Sequence, residues 1–258
     1  MTAPARHTDT VHAQFDPQAK AYLTSAVHAS GPDLIHAAER VLGAIPKEKG
    51  VVLDLGCGAG HLSYALAPHV ARVVAADPSR EMLETVRLTA GERGLPIETV
   101  QAAAGELPFD AGTFCVVASR YSAHHWGNIA RGLGDMRRVV KPGGYLLMID
   151  VVGDEDDLVD THLQAMELLR DKSHVRNLKA SQWRQAIARA GFDLLEERRW
   201  PLPLDFDTWV TRMRPPPERV AAIRTLMNDA PAEVREALAV TDDGSFTLQT
   251  GVFWARAA

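Results

Sequence analysis

Cysteine is scarce in this chain. Cys57 and Cys115 are the only two in 258 residues, and both fall in segments predicted as core elements. That excludes a disulfide framework and points to a reducing cytoplasm. Positive charge is also short, with a net charge of −5, whereas a general nucleic-acid binder would carry a basic face. No stretch approaches the ~20 apolar residues of a membrane span. The first residues, MTAPARHTDTVHAQFDPQ, lack an apolar core of signal-peptide length. Internal repeats and low-complexity segments are absent too. What remains, 46% hydrophobic and 24% charged residues, describes an ordinary globular protein: one large α/β domain, or one domain with an appendage.

The informative stretch is Val51 to Gly60, VVLDLGCGAG. Val51, Val52, Leu53 and Leu55 read as a buried parallel strand. Gly56, Gly58 and Gly60 then form a turn bare of side chains, and helical spacing resumes over His61 to Leu66. Strand, glycine loop and helix open a nucleotide-binding unit in which backbone approaches a ligand closely. A second strand, Arg72 to Ala76, delivers Asp77 about where a carboxylate meets a ribose hydroxyl pair. The dinucleotide fingerprint would need a third glycine at position 61, which is histidine. The spacing is G-x-G-x-G instead, with Asp54 just before it. A carboxylate there suits an ammonium or sulfonium better than a pyrophosphate, favouring an adenosyl ligand with a cationic tail over NAD.

DLGCGAG, Asp77, Leu107-Pro108-Phe109 and Lys141-Pro142-Gly143-Gly144 together resemble a class I S-adenosylmethionine-dependent methyltransferase. The branch it is most similar to includes the ubiquinone and menaquinone C-methyltransferases and many small-molecule relatives. The core resemblance covers about residues 45–152, and the tail segments SHVRN and WVTRM resemble bacterial members of the same branch. It implies a Rossmann-like, seven-stranded, mostly parallel sheet with helices on both faces. It also implies a helical cap over residues 1–45, a cofactor-binding domain over 46–258 and a helical insertion at about 203–240. Most relatives carry Asp before Ala at the adenine; this chain has Ala103-Ala104, leaving the Ala104 amide, with Glu106 as a substitute. Pro78, Met82 and Ser119 complete the implied cofactor set, Met82 packing on the adenine. The Asn/Asp-Pro-Pro-aromatic run of amino methyltransferases is missing after the fourth strand, which speaks against a DNA-amine substrate.

In chain order, residues 1–13 are polar and read as mobile, and helical spacing begins at Phe15 and runs through Tyr22 to Val27. A second helix follows Gly31-Pro32. Ser79 is a predicted helix cap, and Gly94 and Gly191 are predicted helix stops. The fourth strand, Phe114 to Ser119, leads to Tyr121, His124 and His125, at the end of the sheet where α/β proteins place their chemistry. The acidic run Asp154 to Asp157 reads as a helix start. Arg170, Lys172, His174, Arg176 and Lys179 read as a solvated linker, or else His174 or Arg176 turns inward to an anionic substrate group. The last two strands, Phe192 to Arg199 and Phe246 to Arg256, pair around the insertion.

Methyl transfer from a sulfonium is an in-line displacement that needs alignment and a dry site. A carbon, oxygen or nitrogen acceptor can also need a base; His125 and His124 are the candidates, with Tyr22 a further residue near the roof. The spacing offers no metal site, and Cys57 reads as a small loop residue. The expected function is methylation of a quinol-like or natural-product small molecule at carbon or oxygen, with S-adenosylhomocysteine as product. A homodimer is left open. The rival readings are an NAD(P)-dependent oxidoreductase, a non-catalytic adenosyl-ligand binder and, more weakly, a tRNA or protein methyltransferase.

Overall fold

The computed structural model describes residues 6–16 and 31–258. Seven strands form one sheet: β1 Val51–Leu55, β2 Arg72–Asp77, β3 Ile97–Gln101, β4 Phe114–Arg120, β5 Val140–Val152, β6 Phe192–Leu204 and β7 Phe246–Ala257. Their spatial order is β3-β2-β1-β4-β5-β7-β6. The first five run parallel, and β7 enters antiparallel between β5 and β6. The strands nearest the middle are apolar along almost every residue because both faces are covered, as buried parallel strands require. The order reverses between β1 and β4, and a crevice at the carboxyl ends of those strands is where such sheets bind ligands.

The helices are α1 His7–Phe15, α2 Pro32–Ala44, α3 His61–Leu66, α4 Arg80–Arg93, α5 Ile129–Val139, α6 Asp157–Arg170 and α7 Ala180–Arg189, followed by α8 Phe206–Met213, α9 Pro217–Asn228 and α10 Ala232–Ala237 in the insertion. Leu34, Ala37 and Val41 of α2 share one core with Val52, Val73 and Leu147. The other face packs Leu133 and Met136 of α5 and Trp183 of α7 against Leu53, Val117 and Phe253. A third core joins Leu163 and Met166 of α6 to Trp209, Ile223 and Val234 of the insertion.

Local chemistry sets the helix ends. The Ser79 hydroxyl accepts the Met82 amide at 3.2 Å, Asp156 accepts Leu158 N–H at 2.8 Å, and Gly94 and Gly191 take positive φ as helix stops. Two expectations are corrected. Residues 7–15 form α1 rather than a mobile lead: its side chains tie it to the turn after β4 and to the end of α8, His7 Nε2 donating to the His125 carbonyl at 2.8 Å and Gln14 to the Met213 carbonyl at 2.9 Å. β5 begins at Val140, so the Lys-Pro-Gly-Gly segment belongs to the strand rather than preceding it. The helical pattern through Tyr22 to Val27 lies outside the described residues.

Candidate active site

A cavity of about 410 Å³ opens at the carboxyl ends of β1, β2 and β4, roofed by His7, Val11 and Phe15 of α1. Its floor is the glycine loop. Gly56 takes φ +69°, and a Cβ there would stand 1.9 Å from the Ser122 hydroxyl oxygen. Gly58 takes φ +50° and a Cβ there would meet no atom within 4 Å; it lines the cavity, so a side chain would occupy ligand space. Gly60 is different. It does not line the cavity, and its Cβ would press on Tyr64 of α3 and Val86 of α4, so its bareness lets those two helices pack close to the loop.

Asp54, at the end of β1, is 1% exposed. One oxygen accepts the Ser63 hydroxyl at 2.6 Å; the other, Oδ1, has no hydrogen-bond partner among the described residues. Burial pushes the carboxyl up to about 6, partly offset by the Ser63 hydrogen bond. A buried carboxylate oxygen left without a donor, in a cavity wall, fits a ligand that brings its own cationic donor. Asp77 braces the loop: its carboxylate accepts Gly58 N–H and Ser79 N–H, both at 2.9 Å. Pro78, Met82, Ala103, Ala104 and Glu106 line the same cavity. Glu106 is paired with Arg131 at 3.1 Å. Cys57 lies in the wall as a thiol, burial pushing its ionisation well up.

Ser119 is the site residue that the structure moves away. It is fully buried in β4 and lines no part of the cavity. Side chains alternate across a strand, and it is Arg120 that lines the cavity. Arg120 makes a buried pair with Asp33 of α2 at 2.5 Å and lies over the Tyr121 ring at 4.5 Å. Tyr121 sits at φ +50°, a strained conformation for a non-glycine residue, and its hydroxyl bonds Thr250 Oγ1 at 2.7 Å. Burial raises the Tyr121 phenol to about 12. Trp126, also in the wall, donates to Ser122 Oγ at 3.2 Å.

Phe15, Tyr121 and His125 belong at once to this cavity and to a smaller chamber of about 90 Å³ behind it, between the sheet, α6 and α8. His124 lines only the chamber. Its Nδ1 lies 2.6 Å from Asp150 Oδ1, and its backbone N–H donates to Oδ2 at 3.1 Å. Burial, the largest single influence, lowers His124, but Asp150 together with Glu167 and Asp171 outweighs it and the net shift is upward. His125 holds its Nδ1 3.0 Å from the Ser173 carbonyl, which can only accept, so that nitrogen carries the proton. Burial and then the neighbouring His124 charge lower His125 to about 3.

His174 turns inward, as one of the two readings of its segment had it. Its Nε2 lies 2.9 Å from Gln164 Oε1, and burial lowers it to about 4. Arg176 turns outward and pairs with Asp160. Tyr22 lies outside the described residues. From the sequence, Arg120 and Trp126 fall in the stretch at the end of β4 where the chemistry was expected but had no role of their own, and Asp150 and Asp171 were not singled out.

A switch-point crevice with a bare glycine loop, an acidic residue ending β2 and an antiparallel seventh strand define a class I S-adenosylmethionine-dependent methyltransferase. Comparison with known proteins agrees. Residues 53–148 match the methyltransferase domain family. YcgJ of Bacillus subtilis, an uncharacterized methyltransferase, is 32% identical, covering 88% of this chain and 89% of its own. The solved structure of BH2331 from Bacillus halodurans aligns with TM-score 0.83 at 32% identity, over 88% of this chain and 99% of that one. A demethylmenaquinone methyltransferase of Clavibacter sepedonicus is 35% identical over 54% of this chain and 57% of its own. The chain belongs to this methyltransferase family, and it is an enzyme that uses S-adenosylmethionine. The cofactor, when bound, supplies an electrophilic methyl group on a sulfonium. Among the described residues no helix is long and apolar enough to cross a membrane.

Proposed function

We propose that the protein methylates a hydroxylated small molecule of quinol-like or natural-product type, at carbon or oxygen, in the cytoplasm. The observation that carries this is the roof. α1 is hydrogen-bonded at both ends, to His125 and to Met213, over a cavity that shares Phe15, Tyr121 and His125 with the smaller chamber behind it. A compact metabolite suits that enclosure; a duplex or a folded protein surface does not. The Clavibacter relative is named a demethylmenaquinone methyltransferase, which supports the same class.

For the cofactor we assign Asp54 to the methionyl ammonium, the loop amides and the first turn of α3 to its carboxylate, and Asp77 to the ribose hydroxyls. Pro78 and Met82 flank the adenine, with the Ala104 amide and Glu106 at its edge. Ala103 offers no carboxylate there, so adenine recognition rests on the Ala104 amide, on packing and on Glu106. A homodimer through α2 is supported by Ile35 and Leu42, exposed at 65% and 54%; light scattering after size exclusion tests it. The acceptor class is tested with a panel of hydroquinones, catechols and hydroxynaphthoquinols, following isotope-labelled methyl by mass spectrometry. Labelled product from phenolic members supports the reading. Transfer only to RNA or protein substrates added in parallel refutes it.

A further inference from the structure

We infer that the chamber behind Tyr121 and His125 receives the hydroxyl-bearing head of a neutral acceptor, and that His124, held by Asp150, is the base that takes its proton. This rests on the proposed function and adds a site and a residue role to it.

Among the described residues, hydrogen bonding leaves one chamber histidine for the task. His174 Nε2 must be the protonated nitrogen, because Gln164 Oε1 already accepts Asn177 N–H at 3.0 Å while its Nε2 donates to the Asn177 carbonyl at 2.8 Å, which fixes the amide as acceptor. Gaining a second proton there would place a charge beside Gln164 and no carboxylate at bonding distance. His125 donates through Nδ1 to Ser173, and its Nε2 stands 3.9 Å from Asp171, too far for a hydrogen bond. Asp171 holds the Ser173 hydroxyl at 2.6 Å and amide at 2.8 Å, both on Oδ1, and turns Oδ2 toward His125 at that longer distance. His124 differs: Nδ1 donates to a carboxylate that is 1% exposed and already fixed by the Val151 and His124 amides. Its Nε2 is therefore the basic nitrogen, and the imidazolium formed there stays paired. The His124 and His125 rings are 4.2 Å apart, so both cannot be charged, and Asp150 decides which is.

Charge favours a neutral acceptor. Among the described residues, Glu167 of α6, Asp171 just past its end and Asp150 behind His124 stand around the chamber, against Arg170 of α6 and Arg212 of α8. With the histidines neutral that is three carboxylates to two guanidiniums. An anionic acceptor would deepen the imbalance, whereas a neutral one leaves it unchanged, because the proton moved onto His124 forms an imidazolium that faces the oxyanion it leaves behind. Arg170 is committed to Glu167 at 2.7 Å and to the Trp209 carbonyl, so it is not positioned as an anion clamp. Val151, Leu204, Trp209 and Leu248 supply apolar walls for a ring. In the step itself the acceptor O–H bond breaks, its electron pair stays on oxygen, and an N–H bond forms at His124 Nε2. A phenol so ionised is nucleophilic at oxygen and, by conjugation, at its ortho and para carbons, which serves either outcome of the methylation.

The test uses 4-nitrophenol, whose phenolate absorbs in the visible, titrated into the full chain with S-adenosylhomocysteine present and absent. Bound dye is expected to ionise at a pH about one unit below free dye, a tenfold shift. His124→Gln and Asp150→Asn should bind the dye without the shift, and His125→Gln should keep it. Leu248→Trp, which fills the chamber, should abolish dye binding while calorimetric S-adenosylhomocysteine affinity stays within twofold. Unfolding temperature and S-adenosylhomocysteine affinity confirm that each variant folds. A shift that survives His124→Gln, dye that binds Leu248→Trp, or no dye binding to the wild-type chain overturns the inference. Failure of the wild-type chain to bind S-adenosylhomocysteine strikes the cofactor assignments instead, and the dye arm without it is read separately.

Discussion

Replacing Asp54 with asparagine should make the free protein more stable and a worse cofactor binder. The carboxyl is raised from 3.8 to about 6 by burial, roughly two units at ~1.4 kcal/mol each, so ionising it in the free fold costs about 3 kcal/mol near neutrality. The native state holds its proton more tightly than the unfolded chain, so the stabilising effect of that proton is complete below about pH 4. It is lost as pH rises through about 6. Asparagine keeps an acceptor for the Ser63 hydroxyl, now 2.6 Å away, and carries no charge. Asp54→Asn should therefore gain about 1–3 kcal/mol at pH 8, read as roughly 2–4 °C per kcal/mol in melting temperature, and nothing at pH 4. The same change removes the partner assigned to the methionyl ammonium, so S-adenosylhomocysteine affinity should fall at least tenfold. Wild-type binding near pH 6 should release a proton and weaken below it, because the ligand displaces that proton. Calorimetry in two buffers of different ionisation heat, with urea melts at both pH values, decides it. A variant that is less stable at pH 8, or equally altered at both pH values, refutes the burial argument; unchanged affinity refutes the ammonium contact.

Asp77→Ala should weaken S-adenosylhomocysteine by about 1.5–3 kcal/mol through lost charge-assisted hydrogen bonds; unchanged calorimetric affinity removes Asp77 from the ribose. Gly58→Ala should cost about 1–3 kcal/mol of stability from its φ of +50° and also obstruct the cavity. Gly94→Ala, at φ +62° with open space around its Cβ, should cost similar stability and leave affinity alone; equal affinity losses in both refute the obstruction. Arg120→Met strands the buried Asp33 carboxylate and should cost about 3–5 kcal/mol, with Asp33→Leu added to it restoring part; a loss under 1 kcal/mol in urea melts contradicts a tightly coupled pair.

The parts legible in the sequence are those written over short spans. The strand and glycine loop, Asp77 one βα unit later, the Ser79 cap and the stops at Gly94 and Gly191 each depend on neighbours a few residues apart. The pairing of the last two strands around a helical insertion was also legible, although β6 runs on through Pro201 and Pro203 to Leu204, past the point where the insertion was expected to begin. Ser119 was misplaced by a single residue, which in a strand means the opposite face. The chamber was not legible at all. His124 meets Asp150 across 26 residues and Arg120 meets Asp33 across 87, separations that only the sheet order brings together. The two adjacent histidines looked equivalent as letters. Their difference comes from what stands opposite each ring: an ordered carboxylate for His124, a carbonyl for His125. The docking of α1 was hidden for the same reason, since its two ties reach residues far along the chain.

The most direct test of the whole account is a calorimetric titration of the full chain at pH 8 with S-adenosylhomocysteine and, separately, with NADH. One site filled by S-adenosylhomocysteine and no heat from NADH is the predicted result. Saturable NADH binding with no S-adenosylhomocysteine binding would contradict the reading of the glycine loop, Asp54 and Asp77 on which everything else stands.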